Sequence, residues 1–418
     1  METVFINLKI KNCYVFNEQV ELSLRADMRT KKFPANVFNS NNVNVLKSVG
    51  IYGPNNTGKT CIVKIFEAIR SIIYNNKPGL MPNIFNNNNI CEIGFSFLDT
   101  DRVFNYEFKY DVINHEYVYE KFSELTTDTY GNEKEHLYFE RDFIKSRFSS
   151  KNPDLEKVIG YAAKGNILVN ALGSESFSLL KEVNERLRRL ADKIEILYMT
   201  DIDRRMKKTI NLLMDENQKN EIVEFIRNAD LYLDDIKYII RYPFELTDEN
   251  IKKIPKELRG RLIQYRGTLY TIYKGKRVPS DLFDSLGTKK MIALAGYLVD
   301  AIKNNKVLII DEIDSSIHFK LTRAIVSLFN NVLNDRAQII FTTHDINLMD
   351  LKTLFRKEQI WFTHKDHNRA YLYSLAGFTA GKDGIRDTSD IIDKYQKGLL
   401  GALPEPKLID ALIKIIKK

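Results

Sequence analysis

Three features of the sequence predict an α/β fold with an antiparallel β lobe at its N-terminal end and a mainly helical insertion between its two halves. Two near-continuous apolar runs, Lys306-Val-Leu-Ile-Ile-Asp-Glu312 and Ala337-Gln-Ile-Ile-Phe-Thr-Thr-His344, read as buried parallel strands. Only a sheet covered on both faces demands apolar side chains on successive residues. A third run, Val49-Gly-Ile-Tyr52, leads through a glycine-containing loop into a helix-like stretch at residues 61–70. Near the N-terminus, residues 5–16 and 20–24 alternate apolar and polar and read as paired strands.

The elements follow in order. The Asn-rich stretch 75–89 predicts a surface loop. Residues 93–97, 103–110 and 117–125 predict an antiparallel meander. From about 142 to 262 the pattern turns mostly helical and charged, as in Leu179-Leu-Lys-Glu-Val-Asn-Glu-Arg-Leu-Arg-Arg-Leu190. The expected domains are 1–140, the first half of the α/β head; 141–280, an insertion carrying partner or substrate specificity; and 281–418, the second half. No internal repeat is apparent.

A chain of 418 residues, 44% of them hydrophobic, can bury a large core. No signal-peptide pattern and no run of about 18 apolar residues is present, so a soluble, cytoplasmic protein with no membrane contact is expected. Cys13, Cys61 and Cys91 are too few and too scattered for a disulfide framework or a zinc site, which fits a reducing compartment. The net charge of +8 permits contact with nucleic acid without requiring it. Between Lys252 and Arg277, nine Lys or Arg stand against one acid, Glu257, with Tyr265, Tyr270 and Tyr273 interleaved. Such a stripe can track a DNA backbone and stack on bases, or be a solvated face.

The loop Gly53-Pro-Asn-Asn-Thr-Gly-Lys-Thr60 carries the chemistry. Its two glycines let successive N–H groups face a phosphate, Lys59 reaches the β- and γ-phosphates, and the Thr60 hydroxyl ligates Mg²⁺. Asn55, Asn56 and Cys61 complete the set expected to hold ATP, and the following helix aims its positive end at the same anion. Asp311 and Glu312 arrive at the C-terminal edge of their strand, where ligands bind in open α/β sheets. Asp311 is expected to hold Mg²⁺ and Glu312 to polarise the attacking water, while His344 contacts the γ-phosphate. Ser285 and Gly287, before the helix-like Met291–Asp300, form either a second anion-binding surface or an ordinary helix cap.

The order of phosphate loop, insertion, Ser-x-Gly-Thr helix, Asp-Glu strand and His strand resembles the ABC-superfamily ATPase heads of SMC, Rad50 and RecF proteins. That resemblance implies an ABC/RecF-type P-loop ATPase head in which Ser285 and Gly287 of one chain close over ATP held by Lys59 of another, in a homodimer or higher assembly. Asp311-Glu-Ile-Asp-Ser-Ser-Ile-His318, Phe341-Thr-Thr-His-Asp-Ile-Asn-Leu-Met349, residues 355–362 and Lys394-Tyr-Gln-Lys-Gly-Leu-Leu-Gly-Ala-Leu-Pro404 are similar to the stand-alone AAA15/AAA21 ATPases. Within these they resemble the RloA and AbiL-type abortive-infection ATPases and the ATPase of the PARIS antiphage system; Asp314 is the loop acid usual there, which the resemblance implies is part of the ATP-binding set. Residues 1–140 and 280–405 carry the likeness. Phe319 stands where Pro is common, and the Gln usual near the end of the first lobe is missing: none occurs between Thr60 and Gln218.

The resemblance implies an ATPase that acts as sensor and scaffold in antiphage defence and controls a separate effector protein from the same operon. No intrinsic nuclease is expected, because Asp383, Asp387, Asp390 and Asp393 lack a strand–acid–strand setting. The alternative is a DNA-binding repair or chromosome-maintenance ATPase gripping a duplex through residues 252–277.

Overall fold

The computed structural model describes residues 3–40, 43–127, 133–229, 231–240, 267–367, 369–386 and 388–403, with Leu408, Ile409, Leu412 and Ile415. β1 (Thr3–Lys11) and β2 (Val20–Ser23) form the expected antiparallel pair. A ribbon of β3 (Val37–Asn39) and β4 (Asn44–Leu46) leads to β5 (Ser48–Tyr52), from which residues 53–58 turn into helix α1 (Lys59–Ile73). The Asn-rich stretch holds no helix or strand before β6 begins. β6 (Ile90–Asp99), β7 (Arg102–Asp111), β8 (Glu116–Thr127), β9 (Glu133–Asp142) and β10 (Arg147–Ser150) complete an antiparallel sheet of order β10-β9-β8-β7-β6-β1-β2. This lobe thus runs past residue 140. Its last long strand opens with the exposed Glu133-Lys-Glu-His136, which hides the alternation that marks the strands before it.

Between the halves come the short helices α2 (Pro153–Val158) and α3 (Leu168–Ala171), then α4 (Ser178–Lys193), β11 (Ile194–Tyr198), α5 (Ile202–Leu213) and α6 (Glu216–Arg227). β12 (Asp235–Ile240), β13 (Gly267–Tyr273) and β14 (Lys276–Pro279) form a small antiparallel sheet. The stretch is therefore less uniformly helical than its charge pattern indicates. β11 pairs in parallel with the acid-bearing strand, Tyr198 lying opposite Asp311. The middle of the chain supplies an edge of the nucleotide sheet itself.

The last third contains α7 (Ser280–Phe283), α8 (Leu286–Lys303), β15 (Val307–Asp311), α9 (Phe319–Phe329), β16 (Gln338–Thr343), β17 (Ile360–Asp366) and β18 (Arg369–Ser374). The central sheet has the order β11-β15-β16-β5-β17-β18, parallel except for β18. Alternate side chains feed two cores. Val307 and Ile309, with Val49 and Ile51, pack into the core holding α1, α4 and the β lobe, while Leu308 and Ile310 face α8 and α9. That two-sided burial is why these strands are apolar at every position.

Three buried polar fastenings fix the parts. The Gln338 amide donates to the carbonyls of Phe5 and Leu46 and accepts the Phe5 N–H, tying the lobe to β16. The fully buried Arg141 pairs with Glu120 at 2.7 Å, and Glu120 also accepts the Leu168 N–H, which holds α3 on the lobe. The Thr209 hydroxyl donates into α8 at the Ile292 and Ala293 carbonyls. A Cβ on Gly296 would lie 2.6 Å from the Thr209 oxygen, so glycine is what lets α5 cross α8 this closely.

Candidate nucleotide site

Residues 53–58 leave the buried strand β5 and enter α1 by a path that requires glycine. Gly53 has φ 148° and Gly58 φ 114°, both in the region that side chains avoid. A Cβ on Gly53 would sit 2.3 Å from the Thr363 carbonyl oxygen, and one on Gly58 would strike the Phe16 ring at 2.7 Å. Asn56 is left-handed at φ 62°, and it and Asn55 are exposed at the tip. The hydroxyls of Thr57 and Thr363 lie 2.7 Å apart, and Thr57 also donates to the Pro54 carbonyl, so β17 braces the loop from behind.

Lys59 is buried, and its ammonium donates to the carbonyls of Gly53 and Pro54, each at 2.8 Å. Burial lowers its pKa to about 8, partly countered by the carboxylates of Asp311, Glu312 and Asp314. The ammonium thus rests on the loop it would leave for a phosphate. Cys61, one turn into α1, is half-buried, and burial raises its thiol pKa, so it stays a packed neutral group.

The Thr60 hydroxyl donates to one Asp311 oxygen at 2.9 Å, and the Thr342 hydroxyl donates to the other at 2.6 Å. Thr342 in turn accepts the Glu312 N–H at 2.8 Å. One buried hydroxyl from the neighbouring strand therefore positions both acids. Glu312 has φ 55°, an uncommon conformation for a non-glycine residue that turns its side chain out of the strand's alternation. Thr60 and Asp311 offer hard oxygen donors, which fits Mg²⁺. No group of three or more His, Cys, Asp or Glu able to hold a metal occurs among the described residues, so phosphate oxygens and water would complete any Mg²⁺ shell here.

His344 follows β16, exposed, with its N–H 3.3 Å from both oxygens of Asp314. Its pKa is lowered, first by the water its ring loses on the loop side and then by the Lys59 charge, so it is neutral at pH 7. Asp314 also accepts the Thr343 hydroxyl at 2.7 Å. Its carboxylate is engaged in shaping the His344 turn within this chain.

Ser285 caps α8 by accepting the Thr288 N–H at 3.1 Å, while remaining exposed. The cap is real, and it leaves the N-terminal face of α8 open to solvent. Gly287 has a reason its spacing did not reveal: a Cβ there would lie 2.6 Å from the Ser316 carbonyl oxygen, so α8 packs directly on the loop after Glu312. Lys290, buried one turn on, donates to the Ser315 carbonyl and hydroxyl. Thr342 stands inside the Phe341–Met349 stretch, yet it, Thr363 and Lys290 gained no role from the sequence because their partners lie on other elements.

The basic stripe reads differently in three dimensions. Its portion at 252–266, including Tyr265, lies outside the described residues. Of the described tyrosines, Tyr270 is buried with Arg277 over its ring, and the Tyr273 hydroxyl donates to Asp284. These two rings are committed to β13 packing and are not open stacking platforms. No helix among the described residues is long and apolar enough to cross a membrane.

A glycine loop braced at the end of β5, a hydroxyl–carboxylate pair between α1 and β15, and a His at the end of β16 form a nucleotide site of the P-loop ATPase class. The model of the AAA_21 family, described as "AAA domain, putative AbiEii toxin, Type IV TA system", matches residues 48–350, and the chain belongs to that family. No curated protein matches it. Among solved structures it is similar to an SMC head bound to the C-terminal winged-helix domain of ScpA (12% identity, TM-score 0.44, covering 89% of this chain and 98% of that one). The SMC head domain from Thermotoga maritima aligns at 12% identity and TM-score 0.41 over 89% and 98%. A Pyrococcus furiosus SMC head with an extended coiled coil, bound to the C-terminal domain of ScpA, aligns at 11% and 0.40 over 94% and 100%.

Proposed function

We propose that this ATPase binds and hydrolyses Mg-ATP between two copies of itself and that ATP-dependent head assembly controls a separate effector in antiphage defence. The observation that carries the reading is the hydrogen-bonded run Thr60–Asp311–Thr342–Glu312, which brings a cation-binding pair and a candidate base to one sheet edge. With ATP bound, Lys59 would exchange the Gly53 and Pro54 carbonyls for phosphate oxygens. Bound Mg²⁺ would neutralise charge on the β- and γ-phosphates. Glu312 would accept a proton from water as the water oxygen bonds to the γ-phosphorus and the bond to the bridging oxygen breaks, giving ADP and phosphate. Asn55 and Asn56 at the loop tip and His344 after β16 would meet the phosphates.

Assembly is supported by the surface around Ser285. Leu282 (88% exposed), Phe283 (62%), Leu286 (53%) and Phe319 (41%) surround the α8 N-terminus, an apolar display that marks association surfaces. The middle helices bear on the same helix, because α5 is joined to α8 at Thr209 and Gly296. A partner bound by the middle segment would thus act on the helix that closes over ATP. The subtype, close to the RloA, AbiL-type and PARIS ATPases, and the effector from the same operon belong to this proposal.

The test is the solution mass of Glu312→Gln with and without Mg-ATP, together with whatever copurifies when it is expressed from its native operon. An ATP-stabilised assembly holding a second protein is expected. A monomer under both conditions sinks the assembly reading, and a dimer carrying only DNA, held with steep salt dependence, moves the protein to the repair class.

A further inference from the structure

A cleft of about 860 Å³ opens along the later turns of α1, between the loop at 76–81 and the edge formed by β11 and the start of α5. None of residues 53–60 lines it, so it is not part of the phosphate site. Four of its side chains are cationic: Lys64 and Arg70 on α1, Lys77 just after it, and Arg205 on α5.

No carboxylate pairs with any of these four among the described residues. Lys64 lies over the Tyr14 ring at 5.7 Å and Arg70 over the Tyr74 ring at 5.9 Å. Arg205 donates from one terminal nitrogen to the Ile196 carbonyl at 3.1 Å, while its Nε is buried with no hydrogen-bond partner. The cleft also holds two acids. Glu195 is already paired with Lys208 and Lys306, and Glu67 is the one carboxylate left to oppose four cations. A cleft in which one sign of charge prevails concentrates ions of the other.

The walls are fastened without any ligand. The Tyr14 N–H donates to the Met81 carbonyl at 2.8 Å, its hydroxyl to the Gly79 carbonyl at 2.9 Å, and the Asn83 amide to the Tyr14 carbonyl at 2.9 Å. The Asn76 N–H donates to the Ser71 carbonyl at 2.8 Å, and the Tyr74 hydroxyl donates to Asp192. Both rings are therefore held in place with a cation over one face. What the cleft presents is fixed positive charge rather than bare aromatic surface for stacking.

We propose that this cleft binds a phosphate oligoanion, held by Lys64, Arg70, Lys77 and Arg205. Guanidinium forks match phosphate oxygens, and a run of phosphates supplies the several charges that four spread cations call for. Those phosphates belong either to a polyphosphorylated small molecule or to one strand of a nucleic acid. The residues of the cleft fall neither in the phosphate loop nor in the stretch 252–277. An anion bridging Lys64 and Arg205 would join α1, which begins at Lys59 and Thr60, to α5, which is fastened to α8. That consequence rests on the ATPase reading; the binding does not.

The experiment is calorimetric titration of the full chain carrying Lys59→Ala, which silences the phosphate loop, with tripolyphosphate, with a short oligothymidylate strand and with oligoglutamate. Saturable binding of a phosphate probe is expected. Lys64→Glu together with Lys77→Glu, both exposed and outside the core, should weaken it at least about 100-fold, about tenfold for each charged hydrogen bond lost, with unaltered melting. Tighter binding of tripolyphosphate assigns the cleft to a small molecule, and tighter binding of the strand assigns it to nucleic acid. Absence of saturable binding by both phosphate probes, binding indifferent to the paired substitution, or tighter binding of oligoglutamate than of either overturns the proposal. ATP turnover of the parent chain reports on the ATPase reading separately.

Discussion

Thr342 is the most informative single position, because one buried hydroxyl serves both acids of the site. It donates to Asp311 at 2.6 Å and accepts from the Glu312 N–H at 2.8 Å. Thr342→Val keeps the side-chain shape and removes both bonds. A hydrogen bond to a charged group contributes about 1.5–3 kcal/mol, and an unsatisfied buried N–H costs about 1–3 kcal/mol. The added methyl group returns about 1 kcal/mol of burial, leaving a net loss of about 3 kcal/mol. The function should suffer separately. Asp311 keeps its bond from Thr60 but loses the one that fixes its second oxygen, and residues that orient metal ligands typically change affinity 10- to 100-fold. The assay is ATP turnover across a Mg²⁺ titration at fixed ATP, beside a denaturant melt. Thr342→Val should need at least about tenfold more Mg²⁺ and melt earlier; Thr342→Ser, retaining the hydroxyl, should stay near the parent. A Val variant with unaltered melting and unaltered Mg²⁺ dependence would refute the positioning role.

ATP affinity should fall as pH rises through about 8, because the phosphates require the protonated Lys59. Nucleotide binding then takes up close to half a proton at that pH, visible as a buffer-dependent heat. For folding the sign is opposite: with its pKa lowered in the fold from 10.5 to about 8, Lys59 makes the nucleotide-free protein gain stability between those pH values. Lys59→Ala should abolish ATP turnover and the pH effect on affinity together; persistence of either in that variant removes Lys59 from the phosphate site. Ser285→Arg, on an exposed cap, should leave single-chain ATP affinity intact and prevent ATP-dependent assembly, as read by light scattering. Glu120→Gln should destabilise the lobe by about 3–5 kcal/mol, because Arg141 would keep a buried charge without its counter-ion. Unfolding in urea with no loss of midpoint would disprove that fastening.

What could be read along the chain is what is local in it. Residues 53–60 declare a phosphate loop because its backbone path demands glycine at two fixed positions and a Lys and a hydroxyl immediately after, all within one turn. The strands ending at Asp311 and Thr343 declare themselves because burial on both sheet faces leaves no room for polar alternation. Ser285 was legible as a cap or an anion site, and the structure makes it a cap on an exposed face. β11 was not legible because it follows α4 directly, with no turn residue between Lys193 and Ile194, and β10 because none of its four residues is buried.

Tertiary structure decided the pairings. Thr342 reaches Asp311 because the β15–β16 register sets Ile310 against Phe341, and Thr363 reaches the loop because the β5–β17 register sets Tyr52 against Phe362. Gly287 needs to be glycine only because the loop after Glu312 folds back onto α8. Tyr270 and Tyr273 look available for stacking on bases in the sequence and are spent on packing and on Asp284 in the fold. The physical reason is shared: hydrophobic patterning fixes which face of an element is buried, whereas which element lies against it is set by the connections of the fold, over separations from 11 positions (Tyr273–Asp284) to 306 (Thr57–Thr363).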